Sequence, residues 1–219
     1  TKDRAHAFWW SERDGWGHLY RFDGRGVATM TPVNGSAMNL TPQPTAQLTS
    51  GDWQVGMISH VDEAAKQIYF TGRGRDGFLY YPKLYRVNFD GSGLTLLTPE
   101  DEHHVISFSP SGKYFVDSYS TIDKAPTTVL RSAATGAVIR TLEKADVSRL
   151  AAIGWKPAQV FTTKARDGLT DVYGVMYLPP NLDPTKKYPI ISHIYPGPQV
   201  GSVGSWSFKN GGEPHALAE

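Results

Sequence analysis

The 219-residue chain carries 22 basic and 21 acidic side chains, and its net charge of +1 supplies no broad attraction to nucleic acid or an anionic membrane. Hydrophobic residues make up 40%, enough to build a buried core rather than a disordered chain. With no cysteine, disulfides, thiolate metal sites and a cysteine nucleophile are excluded, and no apolar run reaches the roughly 18 residues of a membrane helix.

The chain opens "TKDRAHAFWW", with neither methionine nor a signal-type apolar segment, and ends "GGEPHALAE", a loop running into the first turn of a helix. Both ends are expected to lie within a longer protein. Between them, the first 145 residues repeat. "HLYRFDGRG" from His18 is echoed by "KLYRVNFDGSG" from Lys83, "QLTSGDWQV" by "LLTPEDEHHV", and "ISHVDEAAKQIYF" by "ISFSPSGKYF". The offset is 65 residues at Leu19 and Leu84, 49 at Leu48 and Leu97, and 45 at Tyr69 and Tyr114. The first copy therefore carries about 16 extra residues within "VATMTPVNGSAMNLTPQPTA", whose Thr, Pro, Asn and Gly content reads as a surface loop or small extra hairpin.

Short alternating runs such as Gln67–Thr71, Lys83–Asn88 and Tyr114–Ser118 predict strands. Asp14-Gly15, Asp23-Gly24, Asp90-Gly91 and Ser111-Gly112 read as the turns between them. A weaker third copy, "TTVLRSAATGAVIRTLE", ends near Glu143. A period of about 45 to 50 residues suits the blade of a β-propeller, and about three blades are present, fewer than the four to eight that usually close a ring. A generic β-sandwich with chance similarity is the alternative.

After Lys144 the pattern changes. "ADVSRLAAIGW" reads as a short helix or an irregular link, and strands are predicted at Val160–Lys164, Asp171–Tyr177 and Ile190–Tyr195. Arg166-Asp167-Gly168 forms a hairpin turn, and Pro179, Pro180 and Pro184 forbid a regular element in "PPNLDPTKK".

The stretches "SERDGWGHLYRFD", "ARDGLTDVYGVMYLPPNLDPTKKYPIISHIYPGP" and "HALAE" resemble bacterial members of the dipeptidyl peptidase IV branch of the prolyl oligopeptidase family. The resemblance implies a mainly β chain. Residues 1–145 would form the C-terminal part of a β-propeller, and residues 146–219 the crossover and first strands of an α/β-hydrolase domain. It implies a serine exopeptidase that removes Xaa-Pro or Xaa-Ala dipeptides from peptide N-termini, acting on short peptides without a cofactor or metal. Two alternatives stand beside it: a non-catalytic peptide- or protein-binding module, and an acylaminoacyl- or oligopeptidase of the same family. A homodimer is among the expected assemblies of the full-length protein. The expected compartment is periplasmic or secreted, with cytoplasmic the alternative.

One catalytic side chain is assigned on this basis: Tyr195, whose hydroxyl the resemblance makes an oxyanion donor. The family's usual loop reads "YAGP"; here it is "YPGP", with Pro196 in place of alanine. Gly197, Gly201 and Gly204 would let backbone approach a substrate closely. No G-x-S-x-G occurs in the chain, and the nucleophile, aspartate, histidine and the glutamates for the substrate amino group have no match in it.

Other groups read as structural. "GRGRDG" (Gly72 to Gly77) fits G-x-G-x-x-G but precedes a strand rather than the helix a nucleotide site requires; Arg73 and Arg75 offer guanidinium groups to a carboxylate as the minor reading. In "EDEHH" (Glu100 to His104), neighbouring histidines on a strand point to opposite faces and cannot readily share an ion, so a solvated turn entering a strand is expected. His193 reads as a hydrogen-bonded core histidine, and Phe8, Trp9, Trp10, Trp16, Trp53 and Trp155 mostly as blade packing.

Overall fold

A computed structural model describes residues 1–25, 43–195 and 201–218; the Thr- and Pro-rich insertion lies almost wholly outside them. Two compact units form, Thr1–Asp117 with Leu130–Arg140, and Ser118–Val129 with Thr141–Glu219.

The repeat is built from antiparallel sheets. β1 (His6–Ser11), β2 (His18–Asp23) and β3 (Ala46–Gln47) form the first. β4 (Gln54–Asp62), β5 (Gln67–Arg73), β6 (Lys83–Asn88) and β7 (Thr95–Leu96) form the second in that order, and β8 (His103–Phe108), β9 (Tyr114–Ser120), β10 (Thr127–Ser132) and β11 (Val138–Lys144) the third. The predicted strands fall on β5, β6 and β9, and the weak third copy on β10 and β11. Gly15, Gly91 and Gly112 hold the positive φ that their turns require.

The sequence repeat is a repeat of hydrogen bonds. Tyr20 pairs with Gln47, and Tyr85 with Leu96, so each Leu-Tyr-Arg faces the residue before a Leu-Thr pair. In the first copy Thr49 Oγ1 accepts the Leu19 N–H at 3.0 Å and Leu48 N–H reaches Leu19 O at 2.8 Å. In the second, Thr98 Oγ1 accepts Leu84 N–H at 2.8 Å and Leu97 N–H reaches Leu84 O at 2.8 Å. The threonine hydroxyl replaces a missing main-chain acceptor where a two-residue outer strand ends.

The second sheet is covered on both faces. Ile68, Phe70, Tyr85 and Val87 join Leu19, Leu48, Trp53, Val55 and Phe89 in one core, whereas Tyr69 and Leu84 join Leu97, Phe115 and Ala133 in another. Successive side chains of a strand point to opposite faces, so a strand buried on both loses its polar alternation. Ile68, Tyr69 and Phe70 are accordingly all buried. In β4 the register slips between Val55 and Ile58, and Thr71 Oγ1 accepts the Met57 N–H at 3.1 Å. A Cβ on Gly56 would lie 2.6 Å from that hydroxyl, so the bulge needs glycine there.

The arginine of each Leu-Tyr-Arg clasps the next sheet. Arg21 Nη1 donates to Phe89 O at 3.0 Å, just past β6, and Arg86 Nη1 to Ala134 O at 2.6 Å, just past β10.

The second unit holds α1 (Ser148–Ala152), the hairpin of β12 (Gln159–Lys164) and β13 (Asp171–Met176), and α2 (Glu213–Ala218). Asp167 closes the hairpin: Oδ1 accepts the Leu169 and Thr170 N–H groups, and Gly168 takes φ 70°.

Replacing Arg86 by methionine is expected to cost about 1 kcal/mol, the worth of one partly exposed hydrogen bond, read as a lower urea midpoint. Arg21→Met should cost a similar amount and add to it, because the two clasps close separate seams. An unchanged midpoint would remove the clasp from the interactions holding the stack together.

Candidate functional site

Tyr195 follows β13 by way of the proline loop. That loop is pinned by turns, with Leu182 N–H on Pro179 O at 3.2 Å and Asp183 N–H on the Tyr188 hydroxyl at 2.9 Å. The strand expected at Ile190–Tyr195 is not formed. A strand exists only against a neighbour that pairs its main chain, and no described strand lies beside these residues. Ile190 is 94% exposed as a result. His193 is exposed as well, not the core histidine its apolar neighbours suggested.

The Tyr195 side chain is 64% exposed, so its hydroxyl is not locked into apolar packing. Its backbone N–H donates to Ser202 Oγ at 2.6 Å. Pro196 and Gly197 lie outside the described residues, Gly201 has open space about its Cα, and Gly204 holds φ 67°. The segment beyond is anchored. Trp206 is buried, Phe208 N–H donates to Ser120 Oγ at 3.1 Å, and the Phe208 ring meets Trp155 edge-on at 5.6 Å.

Nearby, Trp155, Ala158, Tyr177, Pro180 and His215 line a shallow cleft. His215 stacks on Trp155 at 5.7 Å and takes Tyr177 edge-on at 4.6 Å, and burial raises the pKa of the Tyr177 hydroxyl. Tyr195 is not part of this lining.

A buried charge cluster lies in the first unit. His104 Nδ1 bonds Asp117 Oδ1 at 2.9 Å and its Nε2 bonds Glu100 O at 3.1 Å. Arg131 reaches Asp117 Oδ2 through Nε at 2.8 Å and Glu100 Oε1 through Nη2 at 2.7 Å. The solvated turn expected from "EDEHH" is thus a buried one: Glu102 and His104 are buried. Burial is the largest single influence and raises the Glu100 pKa, but the Arg131 hydrogen bond, a backbone hydrogen bond and the neighbouring positive charges together outweigh it, and the carboxyl sits below its ordinary value. Glu100, His104 and Asp117 bring ligand-type atoms within 4.8 Å of one another. The Arg131 guanidinium already binds both carboxylates, so these three serve the ion pair rather than a free cation. Both nitrogens of His104 are engaged, one by the Asp117 carboxylate and the other by the Glu100 carbonyl, which fixes the ring's orientation. Sequence reasoning missed Asp117 and Arg131; the available signal was a charge at an inward position of two apolar strands.

The arginines of "GRGRDG" are engaged locally. Arg73 donates twice to Gln54 Oε1, at 3.0 and 2.8 Å. Arg75 lies over the Trp53 ring and pairs with Asp76, which accepts the Tyr85 hydroxyl at 2.9 Å. A strand, β6, follows, as expected for a blade turn. Of the aromatic set, Trp53 is buried and Phe8 packs on the first core. Trp10 donates to Val55 O, whereas Trp9 and Trp16 are exposed, 68% and 45%, and are not blade packing among the described residues.

Successive antiparallel sheets of three or four short strands, with one hydrogen-bond pattern shared by the first two, define a partial β-propeller. A family model for the dipeptidyl peptidase IV N-terminal region matches residues 1–126, and the chain belongs to that family. It is 27% identical over 202 residues to dipeptidyl peptidase 4 of Trichophyton equinum, covering 90% of this chain and 24% of the relative. It is 33% identical over 171 residues to human dipeptidyl peptidase 8, covering 72% of this chain and 18% of the relative. A crystal structure from Bacteroides ovatus, described as that of a dipeptidyl aminopeptidase IV, superposes with a TM-score of 0.73 at 27% identity, covering 98% of this chain and 30% of its own. The chain spans about a quarter of the length of the fungal relatives it matches.

Two measurements test the charged cluster. Asp117→Ala should lower stability by about 3 kcal/mol, because it takes from a buried guanidinium one of its two carboxylates and from His104 its Nδ1 partner; urea unfolding giving a loss below about 1 kcal/mol would contradict this. His103 beside it is pushed down from 6.5 to about 4 by burial and then by His104. Its folded value lies below its unfolded one, so between the two the unfolded chain binds the extra proton. Stability from neutral His103 is complete above pH 6.5 and is lost as pH falls toward 4. The urea midpoint should fall across that window, and less steeply in His103→Gln; equal slopes would contradict the assignment.

Proposed function

We propose that this chain is part of a serine exopeptidase that releases N-terminal Xaa-Pro or Xaa-Ala dipeptides through an acyl-enzyme. Residues 1–145 belong to its propeller, and residues 146–219 form the crossover and the start of its α/β-hydrolase domain. The observation that carries the reading is the extent of the likeness: the fungal dipeptidyl peptidase match covers 90% of the chain, past the end of the propeller repeat and through most of the region that follows it. The relatives supply the reaction class by name, and the accessible Tyr195 supplies the chemistry this segment contributes.

In acyl transfer, a serine oxygen attacks the scissile carbonyl carbon, and the carbonyl oxygen gathers negative charge. The serine proton passes to a histidine and then to the departing amine; water later releases the acyl group. A donor fixed where the oxyanion forms lowers the barrier by about 2.7–4 kcal/mol. The Tyr195 O–H fills that role, completed by a backbone N–H beside the nucleophile. The serine, histidine and aspartate come from sequence outside residues 1–219, so this segment alone does not turn over substrate. The propeller restricts entry to short peptides.

In the full-length enzyme, Tyr195→Phe is expected to lower kcat on a Gly-Pro amide about 10²- to 10³-fold with little change in KM or thermal unfolding. Unchanged turnover rules out the donor role.

A further inference from the structure

We propose that Ser202 is a positioning residue for Tyr195: its hydroxyl fixes the backbone from which the oxyanion donor projects. The inference rests on the donor reading of Tyr195. Three observations lead to it. First, among the described residues Tyr195 lacks the supports that usually hold a catalytic side chain. Its side chain is 64% exposed, and Ile190–Tyr195 pairs with no described strand. Second, its backbone N–H donates to Ser202 Oγ at 2.6 Å, across seven residues of sequence. Third, Ser202 belongs to the segment that is tied down. Trp206 is 5% exposed, Ser120 Oγ at the end of β9 accepts the Phe208 N–H at 3.1 Å, and the Lys209 ammonium donates to Val203 O at 3.3 Å. The donor borrows its rigidity through one hydroxyl.

The energetic logic is that of preorganisation. An oxyanion donor acts only if it already stands where charge develops, and a displacement of about 1 Å can cost about 100-fold in rate. Removing the Ser202 hydroxyl returns the Tyr195 N–H to water at little cost in stability, because both residues are exposed. The loss therefore appears in the transition state rather than in folding or ground-state binding.

The test is a double-mutant cycle on the full-length enzyme, with kcat and KM measured on a chromogenic Gly-Pro amide. Ser202→Ala is expected to lower kcat about tenfold with KM within about twofold and unchanged thermal unfolding. Ser202→Thr, which keeps the hydroxyl, should retain most of the rate. In a Tyr195→Phe background, Ser202→Ala should cost nothing further, because there is no donor left to position. Wild-type kcat in Ser202→Ala, or a loss that adds in full to that of Tyr195→Phe, overturns the positioning role and leaves the donor role standing. Wild-type turnover in Tyr195→Phe overturns the donor role and the positioning role with it.

Discussion

A sheet of four short strands cannot bury a core by itself; both faces must be covered by neighbours, and the outermost strand must end without stranding its partner's main chain. This constraint organises the first unit. The second sheet sends Phe70 and Tyr85 into one core and Tyr69 and Leu84 into the other. Thr49 and Thr98 close the outer edge of each copy with a side-chain hydroxyl where β3 and β7 run out. Arg21 and Arg86 then reach across to the carbonyls of the following sheet. One set of contacts, used twice, explains why leucine, arginine and threonine recur in step along the chain.

The third copy departs from this pattern. Arg131 is among the largest fully buried side chains, and it turns into the protein toward Asp117 and Glu100. Burying an ion pair gains little over apolar packing, but removing one partner is costly because the other charge remains in a low-dielectric interior. The cluster's structural effect is to tie separate elements together. It joins the turn before β8 to β8, β9 and β10, and it orients His104 through both ring nitrogens.

The second unit shows the opposite economy. It has few buried side chains, Trp206 and Ala158 among them, and much of its apolar sequence is exposed. The proposed catalytic tyrosine stands there on a loop held by hydroxyl groups rather than by a sheet. For electrostatic catalysis this is a workable arrangement, since an accessible donor needs a fixed backbone more than a packed ring. The Ser202 and Ser120 hydroxyls, 82 residues apart in sequence, both serve main-chain N–H groups of the segment that carries or supports it.

Local chemistry made much of this legible in advance. Asp-Gly turns and the Arg166-Asp167-Gly168 hairpin depend on neighbours a few residues away, and each appears where the sequence placed it. What depends on distant neighbours was not legible. "YPIISHIY" has the composition of a strand but no partner to pair with, so His193 lies exposed rather than in a core. "EDEHH" has the composition of a solvated turn, yet Asp117 and Arg131 arrive from other strands and bury it. Sequence alone determined the repeat, the turns and the family to which the chain belongs, because these are encoded by residue type and spacing. Only the tertiary structure decided which charges are interior and what holds Tyr195, because burial and hydrogen-bond partnership belong to residues brought together by folding, not by order along the chain.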